Sequence, residues 1–230
     1  MVHKKERPNK TDENKTRILI VDDHPLVRQG LAELINNEQD LTICGQAEDA
    51  HEALRIIKKL MPHMAIVDIS LKETSGMELI KDIKARYPSL LVLALSMHDE
   101  SLYAERALRA GAQGYIMKAE ATENVIKAIR KVLNDQIYVS DRMAAKMVRK
   151  LVSSEPDVGA SAIERLSDRE LEVFHLIGQG YGTRQISERL HLSIKTIETY
   201  RAHIKEKLNL ADATELLQYA IQWVSSQRKA

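Results

Sequence analysis

Along this chain the spacing of hydrophobic positions changes character twice. From residue 17 to about 134, short apolar runs such as Ile18-Leu19-Ile20-Val21 and Met64-Ala65-Ile66-Val67 alternate with segments whose apolar residues recur every three or four positions. An unbroken run of aliphatic and β-branched residues is the pattern of a strand buried on both faces, and the wider spacing is that of an amphipathic helix. The pattern predicts strands at 17–22, 41–47, 63–68, 90–95 and 114–117, and helices at 25–37, 49–60, 75–86, 100–110 and 122–134. Pro88 and Gly111 stand where the third and fourth helices should stop. Such a succession of strand–helix units predicts an α/β domain, a doubly wound five-stranded parallel sheet.

The rhythm then becomes purely helical. Residues 139–152 carry Met143, Met147, Val148 and Leu151 on one side, and Ser153 to Ser161 mix Ser, Pro, Gly and charge without any period, which reads as a linker. Ser167-Asp168-Arg169-Glu170 is a capping box, followed by the apolar stripe Leu171, Val173, Phe174, Leu176 and Ile177 and the stop Gly178-Gln179-Gly180. A short helix at 183–190, a turn at Leu192-Ser193, a longer helix from Ile194 capped by Ser193, and a last helix at 212–226 complete an all-α, four-helix domain. Two helices joined by a tight turn, the second polar on its outer side, describe a helix-turn-helix. Period places Ile194, Ile197, Ile204 and Leu208 inward and leaves Lys195, Thr196, Glu198, Thr199, Arg201, Ala202 and Lys205 outward. The domains therefore read as a tail at 1–16, an α/β domain at 17–138, a connector at 139–161 and the helical domain at 162–230.

Composition narrows the class. With 230 residues, 44% of them apolar and 29% charged, the chain is a soluble globular protein. It holds no apolar stretch near the roughly 18 residues of a membrane span. Residues 1–17 carry six Lys and Arg against three Asp and Glu and lack the apolar core of a signal peptide, so a disordered tail is expected. Cys44, the one cysteine, cannot form an internal disulfide and suits a reducing cytoplasm. Net charge is +1, with fourteen basic against eighteen acidic residues in 18–138 and ten against nine in 160–230, which excludes a bulk polycation. Within 181–209, however, six basic residues face three acidic ones, enough to attract phosphate locally.

The candidate chemistry lies at strand ends. The first strand ends in Asp22-Asp23 and the third in Asp68, and in a parallel sheet ligands gather at these carboxyl ends. Neighbouring carboxylates repel one another unless a cation sits among them, and hard oxygen ligands suit Mg²⁺. Ser96 follows the fourth strand and Lys118 the fifth. A hydroxyl and an ammonium beside a carboxylate bind the oxygens of a transferred phosphoryl group. No GxGxxG or Walker motif follows the first strand, so nucleotide binding has no support. Met97-His98-Asp99 is read as loop sequence and not as a metal cluster.

This set of an acidic pair, Asp68, Ser96 and Lys118 at successive strand ends, with Tyr115 three residues before the lysine, resembles the flavodoxin-like receiver domain of two-component response regulators. The resemblance implies that Asp68 is the phosphoacceptor. It implies further that Asp22, Asp23, Asp68 and the backbone carbonyl of Ser70 hold Mg²⁺, and that Ser96, Tyr115 and Lys118 form the phosphoryl switch. Lys72 stands where that family commonly has proline, while Gly76 is retained. The string Leu166-Ser167-Asp168-Arg169-Glu170-Leu171, then Leu192-Ser193-Ile194-Lys195-Thr196-Ile197-Glu198-Thr199-Tyr200, then Ile204-Lys205-Glu206-Lys207-Leu208 resembles the LuxR-type DNA-binding domain, with Tyr200 where histidine is usual. Both halves together resemble transcription regulators of the NarL/FixJ class.

That resemblance implies a sensor histidine kinase and double-stranded DNA as partners, and a homodimer in the phosphorylated or DNA-bound state. By chemical type Lys195, Thr196, Arg201 and Lys205 suit phosphate oxygens, Glu198 suits cytosine N4, and the Thr199 methyl suits a thymine methyl. Leu216, Leu217, Ala220 and Ile221 on the last helix are the expected dimerisation face, with covering of the domain's own core as the alternative. A haloacid-dehalogenase-like phosphohydrolase also uses a strand-end aspartate, but it requires an acid two residues further on, where this chain has Ser70. A signalling adaptor whose helical end no longer contacts DNA is the third reading.

Overall fold

The computed structural model describes residues 15–71, 75–97, 100–152 and 162–227. The tail up to residue 14, Lys72, His98, Asp99 and the 153–161 linker lie outside the described residues. Contacts divide the chain after Ser140 into two units.

In the first unit the elements alternate as β1 (Thr16–Val21), α1 (Pro25–Asn36), β2 (Leu41–Ala47), α2 (Ala50–Leu60), β3 (Met64–Asp68), α3 (Gly76–Arg86), β4 (Leu91–Ser96), α4 (Glu100–Arg109), β5 (Gly114–Met117) and α5 (Lys118–Leu133). All strand pairs are parallel, in the order β2-β1-β3-β4-β5. The chain order reverses between β1 and β3, the switch point where the loops leaving the two strands diverge and open a crevice. Ile18, Ile20, Met64, Ile66, Leu93 and Leu95 pack with Leu31, Ile35, Val125 and Ile129 of α1 and α5 in one apolar layer. The alternate residues Leu19, Val21, Ala65 and Val67 are equally buried on the opposite face, toward α2, α3 and α4. Burial on both sides explains why these strands show no polar alternation.

Two boundaries differ from the expectation. Thr16, placed in the tail by the sequence pattern, is the first residue of β1, where its amide donates to the Asp40 carbonyl at 2.9 Å. Helix α5 starts at Lys118 and not at 122, directly after β5. Met117 is its extended N-cap, and Ala119, Glu120 and Ala121 are strong helix formers that carry the first turn without a capping side chain. Lys118 is thereby fixed at the junction of strand and helix.

The second unit contains α6 (Asp141–Val152), α7 (Asp168–Gly178), α8 (Thr183–Leu190), α9 (Ile194–Leu208) and α10 (Ala213–Gln227). The capping box is present: Ser167 Oγ accepts from the Glu170 amide at 3.3 Å and Glu170 Oε2 from the Ser167 amide at 2.7 Å. Helix α7 is the hub, packing on both α9 and α10. Phe174 stacks against Tyr219 and Trp223 at 6.0 and 5.3 Å between ring centres. Gly178 lets the backbone of α10 approach so closely that a Cβ there would strike the Ala220 carbonyl.

Gly76 is tighter still, because a Cβ would collide with the backbone of Asp68 and Ile69. Gly76→Ala is expected to cost the first unit about 2 kcal/mol through overpacking. Gly30→Ala, in the interior of α1 with open space around it, is expected to stabilise by about 0.5–1 kcal/mol. Paired thermal or urea melts of the two variants check the opposite signs.

Candidate functional site

The parallel register brings the carboxyl ends of β1, β3, β4 and β5 to one edge, with Val21 beside Val67, Asp68 beside Leu95 and Ser96 beside Met117. Asp22, Asp23 and Asp68 meet there, only 0%, 8% and 0% exposed. Their carboxylate oxygens, together with a ring nitrogen of His24, offer donor atoms that all lie within 4.8 Å of one another. Lys118, reaching in from the start of α5, lies 2.7 Å from Asp68 Oδ2 and 2.6 Å from Asp22 Oδ2. The Ser70 amide donates to Asp68 Oδ1 at 3.0 Å. The Gly76 amide donates to the Ile69 carbonyl at 3.1 Å, folding the chain back behind Asp68.

The electrostatics follow from this crowding. Burial pushes the Asp68 carboxyl above its ordinary value of 3.8; Lys118 opposes that rise and the Asp22 charge adds to it. Burial alone would lower Lys118, yet Asp68 and Asp22 outweigh it and hold the ammonium above its ordinary value. Three buried carboxylates around one lysine form a hard-oxygen donor set in excess of its countercharge. These residues fit Mg²⁺, which takes one or two carboxylates and keeps positions for water or phosphate oxygen.

Ser96 is fully buried at the end of β4, and Tyr115 is buried within β5, its amide donating to the Tyr138 carbonyl at 2.8 Å. The structure thus gathers Asp22, Asp23, Asp68, Ser70 and Lys118 by direct contact and sets Ser96 at the end of the strand next to Asp68. Two neighbours had not been anticipated. His24 Nδ1 lies 2.7 Å from Asp23 Oδ1, and Arg28 donates to the Asp22 carbonyl at 2.5 Å. Adjacency to the acidic pair was the signal for His24, and one turn further into α1 the signal for Arg28.

In the second unit, α9 presents Lys195, Glu198, Thr199 and Ala202 exposed and Thr196, Arg201 and Lys205 half-buried, while Ile197 and Ile204 are buried. Ile194, expected inside, is 48% exposed, because it is the first residue of α9, and burial in this helix begins only at Ile197, three residues further on. Ser193 caps the helix through the Thr196 amide at 3.0 Å and also meets the Thr196 hydroxyl at 2.7 Å. The Thr199 hydroxyl turns back to the Lys195 carbonyl at 3.0 Å.

The expected dimerisation face divides in two. Leu216 and Ala220 are 0% exposed, because with Val224 they form the row of α10 that packs on α7; only Leu217 and Ile221, at 40% and 43%, remain outside. Two of the four residues assigned to pairing therefore belong to the domain's own core. Helix α9 is anchored to α7 by Glu170, which accepts from Lys207 Nζ at 2.6 Å and faces His203 Nδ1 at 3.7 Å.

Residues 18–130 match the family model described as the response regulator receiver domain, and residues 164–220 that of bacterial regulatory proteins, luxR family. The oxygen regulatory protein NreC of Staphylococcus carnosus is 35% identical over 210 residues, 90% of this chain and 97% of that protein. NreC of Staphylococcus aureus is 34% identical over 210 residues, with the same coverage. The structure of RcsB from Salmonella enterica serovar Typhimurium bound to promoter rprA with the phosphomimetic BeF3− is 27% identical, covers 90% of this chain and 98% of that one, and superposes with a TM-score of 0.59. A flavodoxin-like receiver followed by a helix-turn-helix domain defines a transcription factor that phosphorylation controls. The chain belongs to the two-component response regulators with a LuxR-type DNA-binding domain. No helix among the described residues is long and apolar enough to cross a membrane.

Burial raises the Glu170 carboxyl, but its bonds from Lys207 and Ser167 outweigh that and hold it below its ordinary value of 4.5. The stabilisation is therefore complete above that ordinary value and is lost as pH falls through the lower, folded value. Glu170→Gln is expected to cost the second unit about 1 kcal/mol at neutral pH, since Lys207 is partly solvated. The gap between variant and wild type, followed in urea melts, closes in acid.

Proposed function

We propose that Asp68 accepts a phosphoryl group from a sensor histidine kinase, and that the acyl phosphate so formed controls DNA binding by α9. The observation that carries this reading is the buried cluster of Asp22, Asp23 and Asp68 with Lys118 bonded to the acceptor carboxylate. An Asp68 oxygen attacks phosphorus, the phosphorus–nitrogen bond to the donor's phosphohistidine breaks, and the released imidazole takes up a proton. The carboxylate needs no general base; its obstacle is repulsion from the incoming anion. Lys118 offsets part of that charge and orients the acceptor oxygen. Asp22, Asp23, Asp68 and the backbone carbonyl of Ser70 would hold Mg²⁺, which would supply charge to offset the remainder. Phosphorylation adds about 1.5 to 2 negative charges at the end of β3. Ser96 then hydrogen-bonds the new oxygens and Tyr115 reports the change.

The receiver comprises residues 16–138, the connector 139–161 and the DNA-binding domain 162–230, and the protein works in the cytoplasm. Lys195, Thr196, Arg201 and Lys205 hold phosphate oxygens of double-stranded DNA, and Glu198, Thr199 and Ala202 face the bases. A homodimer on paired half-sites, with Leu217 and Ile221 at the pairing surface, matches the half-site logic of helix-turn-helix proteins.

Incubation with acetyl phosphate and Mg²⁺, read by intact mass, is expected to add one phosphoryl group to the wild type and none to Asp68→Asn. Uptake by the variant at the wild-type level would overturn the assignment. Lys195→Ala is expected to weaken specific and non-specific DNA alike and to lower the salt slope of binding by about one. Fluorescence anisotropy over a salt series measures both.

A further inference from the structure

A long-range contact outside the phosphoryl site joins α4 to the segment through which the chain leaves the receiver. Glu100, the first residue of α4, is only 6% exposed, and its Oε1 accepts from the Ser140 amide at 2.7 Å across forty residues of sequence. A buried carboxylate must find donors, and one accepting a backbone N–H forms a charge-assisted hydrogen bond, among the stronger single contacts in a fold. Ser140 is the last residue of the first unit, and α6 begins at the next residue.

The segment before Ser140 is itself held on β5. The Tyr115 amide donates to the Tyr138 carbonyl at 2.8 Å, the Tyr138 amide to the Gln113 carbonyl at 3.0 Å, and Gly114 bridges to Tyr138 in parallel. A Cβ on Gly114 would lie 3.0 Å from the Tyr138 side chain, so the exit segment lies hard against that edge. The chain thus leaves the receiver as an extended segment held to β5 by a single β-bridge, here the exit strand, and Glu100 pins its end. The other end of the lever is the phosphoryl site, because Glu100 follows Ser96 by four residues.

We propose that the Glu100–Ser140 hydrogen bond is a latch that holds the exit strand in the resting receiver and opens when Ser96 engages a phosphoryl group on Asp68. Movement of Ser96 toward the new oxygens draws the start of α4 with it. A hydrogen bond at 2.7 Å tolerates little displacement before it is lost. Release of Ser140 frees the residue that precedes α6, and with it the connector to the DNA-binding domain. The order of events is that of a switch in which a local charge change biases a two-position element. Glu100 acts here as a positioning residue.

The proposal rests on Asp68 as phosphoacceptor, so its test separates the two. Amide hydrogen exchange at Ser140 is followed in the full chain with and without BeF3− and Mg²⁺, and ¹⁹F NMR reports whether BeF3− is bound. In the wild type, BeF3− is expected to speed Ser140 exchange about tenfold, the factor such a bond is worth. Glu100→Ala is expected to exchange at the fast rate without BeF3−, and Glu100→Gln, which keeps the acceptor oxygen, to stay near the resting rate. Bound BeF3− with unchanged Ser140 exchange would overturn the latch and leave the phosphoacceptor standing. Absence of a bound-fluoride signal would overturn the phosphoacceptor and the phosphoryl-driven latch together. Equal exchange in Glu100→Ala and the resting wild type would overturn the latch alone.

Discussion

The ammonium of Lys118 between Asp68 and Asp22, at 2.7 and 2.6 Å, is the interaction on which the receiver's edge depends. Removing charges from water costs several kcal/mol per ion even after relaxation, and attraction between buried partners recovers this only with close geometry. That geometry comes from three separate features of the fold. Crossing from β1 to β3 sets Asp22 beside Asp68, the direct passage from β5 into α5 sets Lys118 opposite them, and Gly76 lets α3 start against the backbone of Asp68. Each feature serves a cluster that remains short of positive charge. The edge holds an excess of negative charge that a divalent cation would relieve and a phosphoryl group would deepen.

Such an imbalance matters because the sheet itself is too well packed to deform. Ile18, Leu19, Ile20, Val21, Met64, Ala65, Ile66 and Val67 are all fully buried, and close-packed interiors move between discrete arrangements instead of bending continuously. Displacement must appear where the chain leaves the sheet. On the β4 side, Met97 just beyond Ser96 is 72% exposed, so little packing there opposes movement. On the α1 and α5 side, by contrast, the apolar layer holds both helices, and Arg130 of α5 pairs with Asp40 and Glu38 in the turn after α1, both at 2.6 Å. The asymmetry would direct the proposed charge change at Asp68 toward α4 and the segment beside β5.

Continuous apolar runs made β1, β3 and β4 legible, since both faces are buried and no alternation obscures them, whereas β2 at the sheet edge is mostly half-buried. Asp22, Asp23, Asp68, Ser96 and Lys118 were legible for the same reason, as the first polar residues after such runs. The start of α5 was not, because hydrophobic spacing registers a helix only from its buried stripe, and Ala121 is the first buried residue of that stripe. Ile194 failed in the reverse direction: it lies on the stripe's period but beyond its packing partner. The apolar side of α10 spans two rows, and only the partner helix α7 decides that Leu216 and Ala220 are core while Leu217 and Ile221 are surface. Lys207 on Glu170 and Glu100 on Ser140 join residues 37 and 40 positions apart, and no local pattern announces them.

The side chains of α9 limit what one copy of the DNA-binding domain can read. Thr199 directs its hydroxyl to the Lys195 carbonyl and Thr196 shares its own with Ser193, so on the proposed docking hydrogen-bonded base readout would fall mainly to Glu198. In the proposed docking Lys195, Arg201 and Lys205 would contribute charge, which positions a helix without discriminating sequence. A single helix of this kind gains specificity by repetition on a second half-site. Leu217 and Ile221 alone offer far less than the roughly 1,200 Å² that a stable protein interface buries. Pairing through α10 by itself would therefore be weak, and a second copy would have to be brought near by DNA or by the receiver. Any receiver state that raises the local concentration of a second DNA-binding domain increases occupancy of paired half-sites through avidity, without altering one contact made by α9.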